Sequence, residues 1–366
     1  MPSMQLNFTF KKHIWSTPSE YKDLSEAKEI AIDLETRDDG INEGLGAGWA
    51  TGKGKIIGFA VATEGWQGYY PIDHFGGGNL IKEQVLQYMQ DVCALPCTKI
   101  FHNAQYDVGW LNTYGIEVNG EIIDTMIAGA LIDENRYSYR LNALAKDYLG
   151  EIKSENDLKE AAKDHGKQNL ETVWELEKKL LPILIKMRKR GIRVNKEKAE
   201  SLKIDFVNKE KSLLHNIKKL VGKDIDIWAA RQIGYAFDKL NIEYPKTPKS
   251  GEPSFTQSWL LNSNHEISKL IVQAREINKF HNTFLNSIMK YEHAGRIHAE
   301  IQQLRSDTGG TVSGRLSMSN PNLQQLPARN KEYGPLIRGL FLPEEGCQWG
   351  SFDYSQQEPR LVVHYA

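Results

Sequence analysis

Residues 29–35 read EIAIDLE, and this stretch decides the fold of the first third of the chain. Ile30, Ile32 and Leu34 alternate with Ala31, Asp33 and Glu35, the period-two pattern of a strand with one apolar and one polar face. Asp33 and Glu35, at i and i+2, therefore project to the same side, and Ile32 and Leu34 to the other. Two carboxylates side by side on a core strand repel each other unless positive charge lies between them. A divalent metal supplies that charge, and Mg²⁺ takes oxygen ligands. Taken alone, a D-x-E pair reads first as a strand end that reaches solvent.

Around this strand the pattern continues as an α/β layout. Lys55–Thr63 and Gly68–Asp73 read as strands, Leu80–Val92 as an amphipathic helix, Thr98–His102 as a fourth strand, and 106–114 as a helix. Alternating strands and helices of this kind imply a mixed sheet flanked by helices. The Gly-rich stretch 40–54 reads as a surface loop. From about Leu170 the chain turns helical, with long amphipathic stretches at 170–190 and 196–221, the second opened by Asn195 as N-cap. Residues 244–254 read as a loop and 256–292 as further helix. A Gly-, Ser- and Asn-rich stretch fills 306–330, and 347–353 reads as a strand. The change of composition places a domain boundary near 185–192.

At 40% hydrophobic and 25% charged residues the 366-residue chain has the profile of a soluble globular protein, long enough for two or three cores. No apolar run reaches the roughly 18 residues that span a bilayer, and the first residues lack a signal-peptide layout. The expected location is the cytoplasm, with no membrane partner. Three cysteines are too few for a disulfide framework. Cys93 and Cys97 have no second Cys/His pair to complete a zinc site. Net charge is −1, yet residues 178–219 hold fourteen Lys/Arg against four Asp/Glu. Such a stripe suits a phosphate backbone; by itself it is also an ordinary solvated helix face.

The D-x-E pair has company. The strand TKIFHNA runs into Gln105-Tyr106-Asp107, which puts a third carboxylate at the start of a helix, and Asp124-Thr125 follows the short stretch EII and opens another. With DLET (33–36), HNAQYD (102–107) and IDTM (123–126) in this order, the sequence resembles the DEDD 3′–5′ exonucleases, in the form that serves as the proofreading domain of DNA polymerase I. The resemblance implies that Asp33, Glu35 and Asp107 hold two Mg²⁺ ions (Mn²⁺ in their place) that activate a water and stabilise the leaving 3′ oxygen. The family's last motif is a Tyr, three residues, then Asp. Here the Asp position falls on Asn169 and the Tyr position on His165. That degenerate motif leaves catalysis open, with Asp164 or Glu171 as substitutes.

A longer match lies downstream. TVSGRLSMSNPNLQQLP (311–327) resembles the thumb-to-palm segment of family A DNA polymerases, a T-x-x-GRLS-x-x-x-PNLQ-x-x-P pattern. Small residues allow close backbone approach, and an Arg and amides suit phosphate, sugar and base edges. The resemblance implies that Arg315 reaches the primer strand and that Asn322 and Gln324 line the primer–template minor groove. LIRGLFLPEEGCQWGSFDYSQQEPRLVVHYA (336–366) resembles the family's motif A. It implies that a strand delivers Asp353 as a catalytic metal ligand, and that Gln356, Glu358 and Arg360 belong to the nucleotide site, Glu358 as steric gate. Gln357 and Pro359 give the motif a phage-like cast.

The expected organisation is an exonuclease-like domain over 1–185, a polymerase thumb over 186–300 and the start of the palm over 301–366. The fingers helix and the second palm aspartate have no counterpart. The sequence thus leads to the expectation of a polymerase fragment, or one half of a split polymerase, that binds primer–template DNA but takes dNTPs only with the missing half supplied. A stand-alone 3′–5′ exonuclease and a non-catalytic DNA-binding fragment are the other readings.

Overall fold

The computed structural model describes residues 17–75, 77–149, 170–307, 309–328 and 330–365. It divides into two compact units, one of residues 1–190 with 299–322 and one of 191–298 with 323–366. The first unit is built on a five-stranded sheet of β1 (Glu29–Arg37), β2 (Lys55–Thr63), β3 (Trp66–Pro71), β4 (Thr98–Phe101) and β5 (Ile122–Asp124), in the order β3-β2-β1-β4-β5. β1 to β3 are antiparallel neighbours, whereas β4 and β5 run parallel to β1. The helices are α1 (Lys82–Ala94), α2 (Ala104–Thr113), α3 (Thr125–Ile132), α4 (Leu141–Leu149) and α5 (Glu171–Arg190).

The alternation in EIAIDLE is realised as expected: Ile30, Ile32 and Leu34 are buried, and Asp33 and Glu35 are exposed. β1 pairs with β4 only through Ala31, then β4 leaves for α2. This divergence opens a crevice at the carboxyl ends of the parallel strands, where ligands of open α/β sheets bind.

Two expectations are corrected. The stretch 40–54 is not a surface loop. It contains a one-turn helix (Asp39–Asn42) and a 3₁₀ turn (Gly48–Ala50), and Gly40, Ala47, Gly48 and Trp49 are buried. Its glycines serve close approach: a Cβ on Gly48 would stand 1.9 Å from the Lys53 carbonyl oxygen. The segment 347–353 forms no strand, because none of the described residues pairs with it to satisfy its backbone groups. The expected cut at 185 falls inside α5. Residues 299–322 cluster with the first unit, and within them β9 (Glu300–Gln302) pairs with β10 (Ser317–Ser319).

In the second unit β6 (Ile192–Val194), β7 (Glu292–His293), β8 (Arg296–Ile297) and β11 (Phe341–Leu342) form a small sheet beside helices. The longest helix, α6 (Lys196–Val221), begins where Asn195 accepts the Lys198 amide and ends on Gly222, whose φ of 80° suits glycine. Its buried face of Ala199, Phe206, Leu213, Ile217 and Val221 follows helical spacing. The basic stripe of 178–219 is not one solvated face. Lys178 pairs with Glu121 and Glu175, Arg188 is buried, Lys196 pairs with Glu292, and Lys209 meets Glu332 and Tyr333.

Candidate exonuclease site and polymerase motifs

The crevice at the end of β1 holds Asp107 beside the strand that carries Asp33 and Glu35. Asp107, in the first turn of α2, is 3% exposed, and its Oδ1 accepts the Leu34 amide at 3.0 Å. The α2 carboxylate thus fills the backbone position that β4 vacates, beside the residue between Asp33 and Glu35. Burial, and then the Asp33 charge, push the Asp107 carboxyl well above its ordinary value. Both effects disfavour the charged carboxylate.

Asp124 is buried in a different role. It accepts the amides of Asn103 (2.9 Å), Ala104 (2.7 Å) and Met126 (2.9 Å), so it caps α3 and fixes the start of α2 together. Burial raises its carboxyl, and the same amides oppose the shift. Asn103 at φ 67° bends the chain into α2. His102 Nδ1 lies 2.9 Å from Thr125 Oγ1, and burial lowers its imidazole. On the other side, Tyr106 Oη meets Thr36 Oγ1 at 2.5 Å and donates to Asp38 Oδ2 at 3.1 Å. Asp38 in turn accepts the amides of Ile41 and Gly48. Asp107 is therefore held by a helix anchored at both flanks.

Among the described residues, no group of three or more Asp, Glu, His or Cys side chains converges into a ready-made metal cage. The donor chemistry still suits Mg²⁺, which keeps several waters and binds through one or two carboxylates plus substrate phosphates. Beside the carboxylates opens a cleft of about 470 Å³ lined by Thr36, Arg37, Lys55, His74, Phe75 and Tyr106, among others. Phe75 is 96% exposed with the Arg37 guanidinium 5.8 Å from its ring centre. Asp38 and Asp73 line the cleft too, and Lys55 is paired with Asp73 and Arg37 with Asp39. The groove is thus mixed in charge, and its exposed aromatic ring is the group suited to stacking on a base. The sequence reading missed Arg37, Lys55, His74 and Phe75; the signal available was HFGGGN (74–79), an aromatic beside a run of glycines.

The polymerase-like positions are placed less compactly. In the first unit, Arg315 and Asn322 are exposed, and the Arg315 carbonyl accepts Thr311 Oγ1 at 2.7 Å. This segment is anchored by Glu300, which accepts from Asn320 Nδ2 (2.9 Å), the Ala47 amide (2.9 Å) and Arg188 Nη2 (3.1 Å). In the second unit, Gln324 is exposed. Asp353 lies on an exposed stretch without a strand, and a helix over Gln357–Tyr365 follows, as expected. Gln356 precedes that helix at φ 52°; Glu358 and Arg360 are on it, all three exposed. Asn169, with His165 and Asp164, lies outside the described residues.

Comparison with known proteins agrees with both halves. Residues 18–174 match the family described as 3′–5′ exonuclease, and residues 196–366 match DNA polymerase family A. A DNA-directed DNA polymerase of Pseudomonas phage M6 is 34% identical over 98% of this chain, and DNA polymerase DpoZ of Salmonella phage PMBT28 is 28% identical over 94%. DNA polymerase I of Borreliella burgdorferi is 26% identical over 93%. The chain spans 62% of the length of each phage relative and 40% of the bacterial one. The solved POL domain of Pol1 from M. smegmatis, in complex with DNA primer-template and dNTP, shares the fold. The TM-score is 0.68 at 21% identity, over 88% of this chain and 56% of that one. No described helix is long and apolar enough to cross a membrane.

Proposed function

Because residues 196–366 of this chain belong to DNA polymerase family A and residues 18–174 to the 3′–5′ exonucleases, we propose that it is part of a proofreading, template-directed DNA polymerase whose exonuclease site lies in the β1–α2 crevice. The observation that supports the exonuclease reading is the buried Asp107 carboxylate bonded to the amide of Leu34, the residue between Asp33 and Glu35 on β1. Asp33, Glu35 and Asp107 would hold Mg²⁺ or Mn²⁺, which when bound lowers the pKa of a water and stabilises charge on a leaving oxygen. The chain's own part is to orient: Asp124 and Asp38 fix α2, and Phe75 offers a stacking face.

For the polymerase half, the reading gives 186–300 as thumb and 301–366 as the start of the palm. Arg315, Asn322 and Gln324 contact the primer–template. Asp353 holds metal, and Gln356, Glu358 and Arg360 border the incoming nucleotide. The support is the family match over 196–366 and the motif order.

The test is divalent-cation-dependent release of nucleotides from 3′-labelled single-stranded DNA, with Asp33→Ala as control. Release by the unaltered chain and none by the variant supports the reading. Equal, negligible release by both leaves a DNA-binding module without this chemistry.

A further inference from the structure

On the five-stranded sheet, Asp33, Ala60 and Tyr69 form one cross-strand row, and Glu35, Gly58 and Pro71 the next but one. Residues directly opposite on antiparallel strands project to the same face, so Tyr69 stands on the face that carries Asp33 and Glu35. The residues between them, Ala60 and Gly58, are the smallest available. A Cβ on Gly58 would lie 1.9 Å from Tyr69 Oη and 2.4 Å from its Cζ. The phenol therefore occupies the space of the missing side chain. Glycine inside a strand is destabilising and marks the close approach of another group. Opposed residues have Cβ atoms about 5 Å apart, which brings the Tyr69 hydroxyl to within about one strand spacing of Glu35.

The hydroxyl is also held from behind. Tyr69 Oη is hydrogen-bonded to His74 Nε2, with the two rings edge to face at 5.8 Å. His74 is clamped in turn: its amide donates to Asn79 Oδ1 and its carbonyl accepts from Asn79 Nδ2, both at 2.8 Å. The neighbouring Tyr70 serves the core, fully buried. Tyr69 remains on the carboxylate side.

We propose that Tyr69, oriented by His74, is a positioning residue for the exonuclease centre. His74 Nε2–H donates to the phenol oxygen, and the phenol proton is directed at the Asp33–Glu35 pair, fixing those carboxylates for the divalent cation. The proposal rests on the exonuclease reading above. Ligand-orienting partners of this kind are worth about 10–100-fold in metal affinity or activity.

The test uses the full chain with Tyr69→Phe, which keeps the ring over Gly58 and removes only the oxygen. The expected result is a roughly 10–100-fold lower kcat for 3′ nucleotide release at unchanged KM for single-stranded DNA. Mn²⁺ binding, read by electron paramagnetic resonance without DNA, weakens as well. His74→Ala moves both readouts the same way, and His74→Gln, which can still donate to the phenol oxygen, recovers part. Unchanged kcat and Mn²⁺ affinity in Tyr69→Phe overturn this proposal alone, because Asp33→Ala would still abolish release. A lower thermal stability with unchanged kcat and Mn²⁺ binding makes Tyr69 a packing residue and also overturns it. An unaltered chain no more active than Asp33→Ala overturns the exonuclease reading and this proposal with it.

Discussion

Replacing Glu300 with Ala should loosen the segment around Trp49 and the 317–322 segment together. Arg188 is 6% exposed, lies 4.7 Å from the Trp49 ring centre, and donates to the Ala47 carbonyl at 2.9 Å. Burial lowers its guanidinium, and Glu300 and then Asp38 draw it back up. Breaking a buried ion pair from one side costs about 3–5 kcal/mol. The Glu300 side chain is 19% exposed, so water can replace part of the loss, and about 3 kcal/mol is the working figure. At 1.4 kcal/mol per factor of ten that is roughly 10²-fold in local opening. Hydrogen exchange with mass spectrometry should show peptides covering 45–54 and 317–322 losing about that much protection, provided they open locally. In an Arg188→Met background Glu300→Ala should cost clearly less, since no buried cation is left behind. Unchanged protection of 45–54, or an equal cost in both backgrounds, would refute the reasoning.

Two further outcomes follow from the same geometry. The Asp107 carboxyl is raised in the folded chain, so its contribution to stability is present below the unfolded Asp range and is lost as pH rises through the folded value. Metal-free Asp107→Asn should therefore melt above the unaltered chain at neutral pH, the gap closing toward pH 4, with 3′ nucleotide release down about 10²-fold or more; a gap that widens in acid would contradict the assignment. Arg315→Ala should weaken primer–template binding uniformly across sequences and reduce the salt slope by about 1, as measured by fluorescence anisotropy at several salt concentrations.

Much of the first unit was legible because local and tertiary demands agree there. EIAIDLE shows the strand and the shared face of Asp33 and Glu35, and in the second unit Asn195 marks the start of α6. The stretch 40–54 misled because its glycines look like turn residues, whereas Gly48 admits the Lys53 carbonyl and Gly54 the Arg37 carbonyl and the Trp110 ring at close range. The segment 347–353 misled because a strand-like pattern forms a strand only with a partner to pair with. The basic run of 178–219 reads as one stripe, but its partners Glu121, Glu292, Glu300 and Glu332 are distant in sequence. Tyr69 escaped notice for the same reason: its place beside Glu35 depends on the register of three strands and on Gly58. Asp124, visible in sequence as a carboxylate opening a helix, resolves into a backbone anchor once its three amides are located.

The central claim is that the Asp33, Glu35 and Asp107 crevice cuts DNA from its 3′ end. The most direct measurement compares 3′-labelled and 5′-labelled single strands incubated with the purified chain, with and without Mg²⁺ or Mn²⁺. The expected result is immediate loss of the 3′ label as mononucleotide and stepwise shortening of the 5′-labelled strand. Both should vanish with chelator and in Asp33→Ala and Asp107→Ala. Release that persists in those variants, or none from the unaltered chain at any metal concentration, would contradict it.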